Sequence, residues 1–82
     1  MAVEKSPDFG ALQRLTDDLF SATALVRRLD AVVLAESYDL PADLLEVVTL
    51  LPPGTYTRER FCDQINSSVN GHGWGLVYGT VE

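Results

Sequence analysis

Apolar residues recur along the first half of the chain with helical spacing. Leu12, Leu15, Leu19, Ala22, Val26, Leu29 and Val33 follow one another at alternating steps of three and four, the spacing of a helical seam. The stretch from Asp8 to Tyr38 holds no Pro and only Gly10 as glycine. The pattern therefore predicts one long helix over 7–38, opened by Pro7 behind Ser6 as N-cap. At about 1.5 Å per residue such a helix would reach roughly 45 Å, whereas a compact chain of this size has a radius of gyration near ~12 Å. Either the helix bends near 21–23, or a second molecule covers its overhang. A second line, Phe20, Ala24, Arg27, Ala31, Leu34 and Tyr38, runs off the seam, and its small residues would admit a close neighbour. Phe20, Ala24, Arg27, Ala31 and Leu34 are accordingly the expected partner-binding residues, with a homodimer as the expected assembly.

Past Tyr38 the pattern breaks at Asp39–Leu40–Pro41. Ala42–Leu51 is apolar on nearly every side. Val47–Val48–Thr49 suits a strand, but Asp43 and Glu46 near the start suit a helix dipole, and a short buried helix is the expected form. Pro52–Pro53–Gly54 is a stop and a turn, and Thr55–Tyr56 is extended. Thr57 is the expected N-cap of a third helix, Arg58–Val69, with Phe61, Cys62, Ile65 and Val69 on its apolar face. Asn70–Gly71 tolerates the left-handed conformation that ends helices. Trp74–Val81 alternates and predicts a terminal strand or hairpin.

The expected fold is one domain, mainly α with a small C-terminal β element. Its parts are a frayed terminus over 1–6, the long helix over 7–38 and a compact helix-turn-helix-strand part over 41–82. This order resembles a winged helix-turn-helix at the level of architecture. Pro52–Tyr56 would be the turn, Arg58–Asn70 the recognition helix and Gly73–Val81 the wing. The resemblance implies nucleic-acid contacts from the 55–67 region. Thr57, Arg58, Arg60 and Gln64 lie there in a polar, positive patch suited to an anion or a phosphate backbone, with Glu59 opposing it.

Composition narrows the function classes. Twelve Asp and Glu against six Lys and Arg give a net charge of −6, which disfavours general attraction to nucleic acid or an anionic membrane. No apolar run approaches the ~20 residues that cross a bilayer, and Met1–Ser6 carries no signal-peptide pattern. The sole cysteine, Cys62, has no partner for an internal disulfide. The expected location is the cytoplasm.

Candidate chemistry is sparse. Cys62 falls on the apolar side of its helix, where a free cysteine acts as a small hydrophobe. His72, the sole histidine, lies in the turn Asn70–Gly71–His72–Gly73, and one His with one Cys falls short of four zinc ligands. Asp17, Asp18, Asp39, Asp43 and Glu46 have no calcium-loop spacing. Gly71, Gly73 and Gly75 follow a helix and feed a predicted strand, the reverse of a phosphate cradle. Asn66–Ser67–Ser68 matches a glycosylation sequon but falls mid-helix. No catalytic residue, metal or cofactor is expected. The expected function is that of a non-enzymatic acidic protein-interaction or regulatory domain, self-associating through the long helix. The alternatives are a winged-helix-type DNA-binding protein and an acidic decoy that presents carboxylates to a nucleic-acid-binding protein.

Overall fold

The long seam folds as two helices with a strand between them. A computed structural model describes residues 6–82, so the terminus expected over 1–6 falls outside the described residues apart from Ser6. The elements are α1 (Ala11–Leu19), β1 (Leu25–Arg27), α2 (Arg28–Ser37), α3 (Ala42–Thr49), β2 (Thr55–Thr57), α4 (Arg58–Gly71) and α5 (Gly75–Tyr78). The architecture is mainly helical with a small two-stranded antiparallel sheet.

Two expectations are corrected. The helix expected over 7–38 starts later and breaks in the middle. Residues 7–10 form a turn, in which Ser6 Oγ accepts the Asp8 N–H at 3.1 Å. Gly10 then takes the cap position at φ 86°, a conformation that suits glycine. The break falls at residues 20–24, where local side chains compete for backbone groups. Ser21 Oγ donates to the Asp18 carbonyl at 2.8 Å, and Thr23 Oγ1 donates to the Leu25 carbonyl at 2.9 Å. The second correction concerns Trp74–Val81. It is one helical turn followed by an irregular tail, so the wing of the winged-helix order is not there. The spacing Trp74–Tyr78 that reads as strand alternation is also a helical i, i+4 pair, and the two rings meet edge to face at 5.8 Å.

The rest follows the local signals. Ala42–Thr49 is a helix with Asp43 in its first turn. Thr57 caps α4 by accepting the Arg60 N–H at 3.3 Å. Asp39 takes φ 55° just after α2, the left-handed position that commonly ends a helix.

The chain is built from two similar units, α1–β1–α2 and α3–β2–α4. In the first helices Leu12, Leu15, Thr16 and Leu19 are buried, as are Leu44, Val47 and Val48 of α3 with Leu51 just beyond its end; both sets read i, i+3, i+4, i+7. In the second helices Ala31 and Ala35 are buried, as are Phe61 and Ile65. The strands join the units in the register Leu25↔Thr57, Val26↔Tyr56, Arg27↔Thr55. Val26 and Tyr56 point into the core, and the other four residues face out. Each second helix opens on an arginine that reaches the end of the other unit's first helix. Arg28 Nη2 donates to the Thr49 carbonyl at 2.6 Å, and Arg58 Nη2 donates to Asp17 Oδ1.

Phe61 centres the core, edge to face with Phe20 at 5.7 Å and with Tyr56 at 6.4 Å. Ala31 and Ala35 are both fully buried, and α2 packs on both α3 and α1. The C-terminal tail is fastened by two carboxamides. Asn66 donates to and accepts from the Val81 backbone at 2.8 and 2.7 Å, and Gln13 does the same with Glu82 at 3.0 and 2.9 Å.

Candidate functional site: the outer face of α2

Four positions of α2, at 100° per residue, fall within an arc of about 100°: Leu29, Val33, Glu36 and Ser37. All four are exposed. Leu29 is 60% and Val33 57% exposed, and Leu25 on the outer face of β1 is 56% exposed. The opposite arc carries Ala31 and Ala35 into the core, while Val32 and Leu34 are half-buried against it. This helix is apolar on two sides, and its own domain covers one of them. A shallow groove runs between α2 and the end of α1, floored by Leu19, Leu29, Val33 and Leu34 and edged by Asp18 and Asp30. Beside it Tyr38 donates its hydroxyl to the Asp18 carboxylate.

The structure divides the expected partner-binding residues. Ala24 and Arg27 are exposed. Ala31 is fully buried, and Phe20 and Leu34 are half-buried against the core. The line off the seam therefore faces mostly inward after the break, while Leu29 and Val33, which belong to the seam, face outward. The residues 20–27 cause this exchange: they leave helical geometry, so α2 restarts with a new phase. Leu29 and Val33 are the seam residues left on the surface, and Leu25, beside the seam, is exposed with them. The signal for them was the excess of apolar positions around 25–35, which shows two apolar faces without showing which one is covered.

The electrostatics of the face are graded along the helix. Arg27 lies at its N-terminal end, where its guanidinium meets Asp30 at 3.3 Å in an exposed pair. The Arg27 backbone N–H, and then its side chain, hold the Asp30 carboxyl below its ordinary value. At the other end the Glu36 carboxylate is exposed and has no hydrogen bond or ion pair among the described residues.

The second candidate patch is largely engaged by the chain itself. Thr57 Oγ1 is used as a cap. Arg58 donates to Asp17 and to the Glu82 carbonyl at 2.7 Å. Arg60 lies over the Tyr56 ring at 5.8 Å. Gln64 is exposed and lines a cleft between α3 and α4 with Val47, Leu50 and Ser67. Thr57 caps α4 and the other three lie in its first half, but their donors do not converge.

Cys62 is buried, and burial pushes its thiol up from the ordinary value, away from the thiolate that nucleophilic attack or metal binding needs. His72 lies beyond the C-terminal end of α4, stacked on Trp74 at 4.3 Å, with Nδ1 at 2.8 Å from the Ser68 carbonyl. Ten residues of helix separate the two, about 15 Å along the axis. The loops 20–24 and 50–54 contain no carboxylate and so lack the oxygen ligands of a calcium-binding helix–loop–helix. Among the described residues no helix is long and apolar enough to cross a membrane. Comparison with family models, with curated proteins and with solved structures finds no match for this chain.

Proposed function

We propose that the chain is a non-enzymatic protein-interaction domain whose working surface is the outer face of α2. The observation that carries this reading is the apolar stripe Leu25, Leu29 and Val33, each more than half exposed on a chain whose other α2 face is packed to zero exposure. An exposed apolar strip bordered by charge is the usual form of a helix-docking surface. The competing reading as a DNA-binding protein depends on Arg58 and Arg60, and both are already engaged within the chain.

The test is a photo-crosslinking residue in place of Leu29, compared with one in place of Asp63 on the exposed side of α4, in cells that make the protein. Adducts with protein at position 29, and few at position 63, are the expected outcome. No adduct at 29, or equal adducts at both positions, removes the reading.

A further inference from the structure

Residues 79–82 form no helix or strand, yet their exposure alternates. Gly79 and Val81 are buried, Thr80 and Glu82 exposed, the period of an extended chain lying on a surface. Their main chain is held by side chains. The Asn66 carboxamide accepts the Val81 N–H at 2.7 Å and donates to the Val81 carbonyl at 2.8 Å. The Gln13 carboxamide treats Glu82 in the same way, at 2.9 and 3.0 Å. Arg58 donates to the Glu82 carbonyl from Nε and Nη2 at 3.2 and 2.7 Å. Gln13 stands on α1, and Arg58 and Asn66 stand about two turns apart on α4, so the tail bridges the two helices. Val81, 5% exposed, is its one side chain in the core.

We propose that this seat is a binding site for an extended peptide segment with an aliphatic residue at the Val81 place, and that the chain's own tail fills it in cis. In extended-peptide recognition main-chain bonds supply affinity and a side-chain pocket supplies selectivity, and the seat holds both. Among the described residues Gln13, Arg58 and Asn66 bond the main chain of the tail and none of its side chains. The seat therefore asks of its occupant an extended backbone and one aliphatic group. It can also open without the fold. The turn before it is tied by backbone bonds, Ser6 and Gly10 donating to the carbonyls of Val77 and Tyr78 at 3.0 and 3.1 Å. Past Gly79, at φ 85°, the backbone bonds of Val81 and Glu82 go to side chains alone among the described residues. Release thus breaks no helix or strand bond and leaves the three side chains ready for another segment. A tethered segment has an effective concentration in the millimolar range, so a free peptide enters where it binds more tightly than the tail or where the tail is weakened.

Two measurements test this. In the native chain the Val81 amide should exchange its hydrogen at least about 100-fold faster than the Ile65 amide, and without the urea dependence of global opening. Equal rates with equal urea dependence would mean that the tail opens only with the whole fold, which overturns the proposal. The second measurement uses Val81→Asp, which empties the pocket and keeps Gln13, Arg58 and Asn66; Val81→Ala takes its place if that variant does not fold. A peptide of residues 75–82, added to the isotope-labelled variant up to about 5 mM, should shift the carboxamide N–H signals of Gln13 and Asn66 saturably. Binding should be at least about tenfold weaker to the native chain, whose seat is filled, and to the variant that also carries Asn66→Ala. No saturable shift in a folded variant, or one affinity for all three chains, overturns the site. Shifts from added native chain with none from the peptide assign the seat to exchange of tails between copies, and overturn it as well.

Discussion

Arg58 joins three parts of the chain through one guanidinium. It is the first residue of α4, and it donates to Asp17 on α1 and to the Glu82 carbonyl of the tail. The Arg58 hydrogen bond, and then that of Gln13, hold the Asp17 carboxyl below its ordinary 3.8. A group depressed in this way binds fewer protons when folded than when unfolded. Its stabilisation is therefore full above about pH 4 and is lost as pH falls through the unfolded value and then the folded one. Asp17→Asn should be less stable than the native chain at pH 7, and the gap between their urea midpoints should narrow as the pH falls below about 4. A gap that stays constant from pH 7 to pH 3 would show that Asp17 contributes no charge. Asp30, depressed by Arg27, keeps some acid sensitivity in the variant. Thr16 poses a different question. It is fully buried, and its hydroxyl donates only to the Leu12 carbonyl one turn back, at 2.8 Å. The matching place in the second unit is Val48. Thr16→Val removes a hydroxyl without stranding a partner, because a helical carbonyl keeps its backbone bond. Equilibrium unfolding should find it within about 1 kcal/mol of native, whereas Leu15→Ala next to it should cost about 2–5 kcal/mol.

At the scale of the element, the phase of α2 can be tested directly. Ala35 is fully buried, and Val33 is 57% exposed. Ala35→Leu should cost about 1–3 kcal/mol by overpacking, while Val33→Ser should stay within about 0.5 kcal/mol. The opposite ranking in thermal or urea unfolding would mean that the seam reading had the phase right. How far the fold was legible depends on where each signal is located. Pro41 with Asp43, and Thr57 at the start of α4, are local stop and cap signals, and α3 and α4 stand where those signals place them. The strand Leu25–Arg27 had no such signal. Leu25 and Val26 continue a helical pattern, and they become extended by pairing with Thr57 and Tyr56, residues distant in sequence. Trp74–Val81 failed for the complementary reason: its alternation suits a strand, but β2 already has β1 as its neighbour, and the segment packs as a single helical turn. The candidate site shared the fate of β1. Once residues 20–27 leave the helix, no periodicity carried over from α1 can say which side of α2 faces water.

For the whole molecule, the charge of −6 bears on assembly more than any single pair does. Two copies lying side by side have centres about 20 Å apart, the short dimensions of the chain being 22 and 19 Å. Unscreened in water, two such charges repel by about 7 kcal/mol. At 0.01 M salt, where the Debye length is about 30 Å, roughly half of this remains. At 0.15 M, with a Debye length of about 8 Å, less than about 1 kcal/mol remains. Any pairing of this chain with a second copy should therefore tighten on going from 0.01 to 0.15 M salt, with the dissociation constant falling at least about tenfold. A basic peptide on the same face would behave in the opposite way, since its attraction to an acidic chain is what salt screens. A nucleic acid held by Arg60 would also weaken with salt, through the counterions displaced on binding. Sedimentation equilibrium at the two salt concentrations therefore reports the class of partner from the sign of one slope: tightening with salt fits a second copy of this chain, and weakening fits a partner of opposite charge or a phosphate backbone.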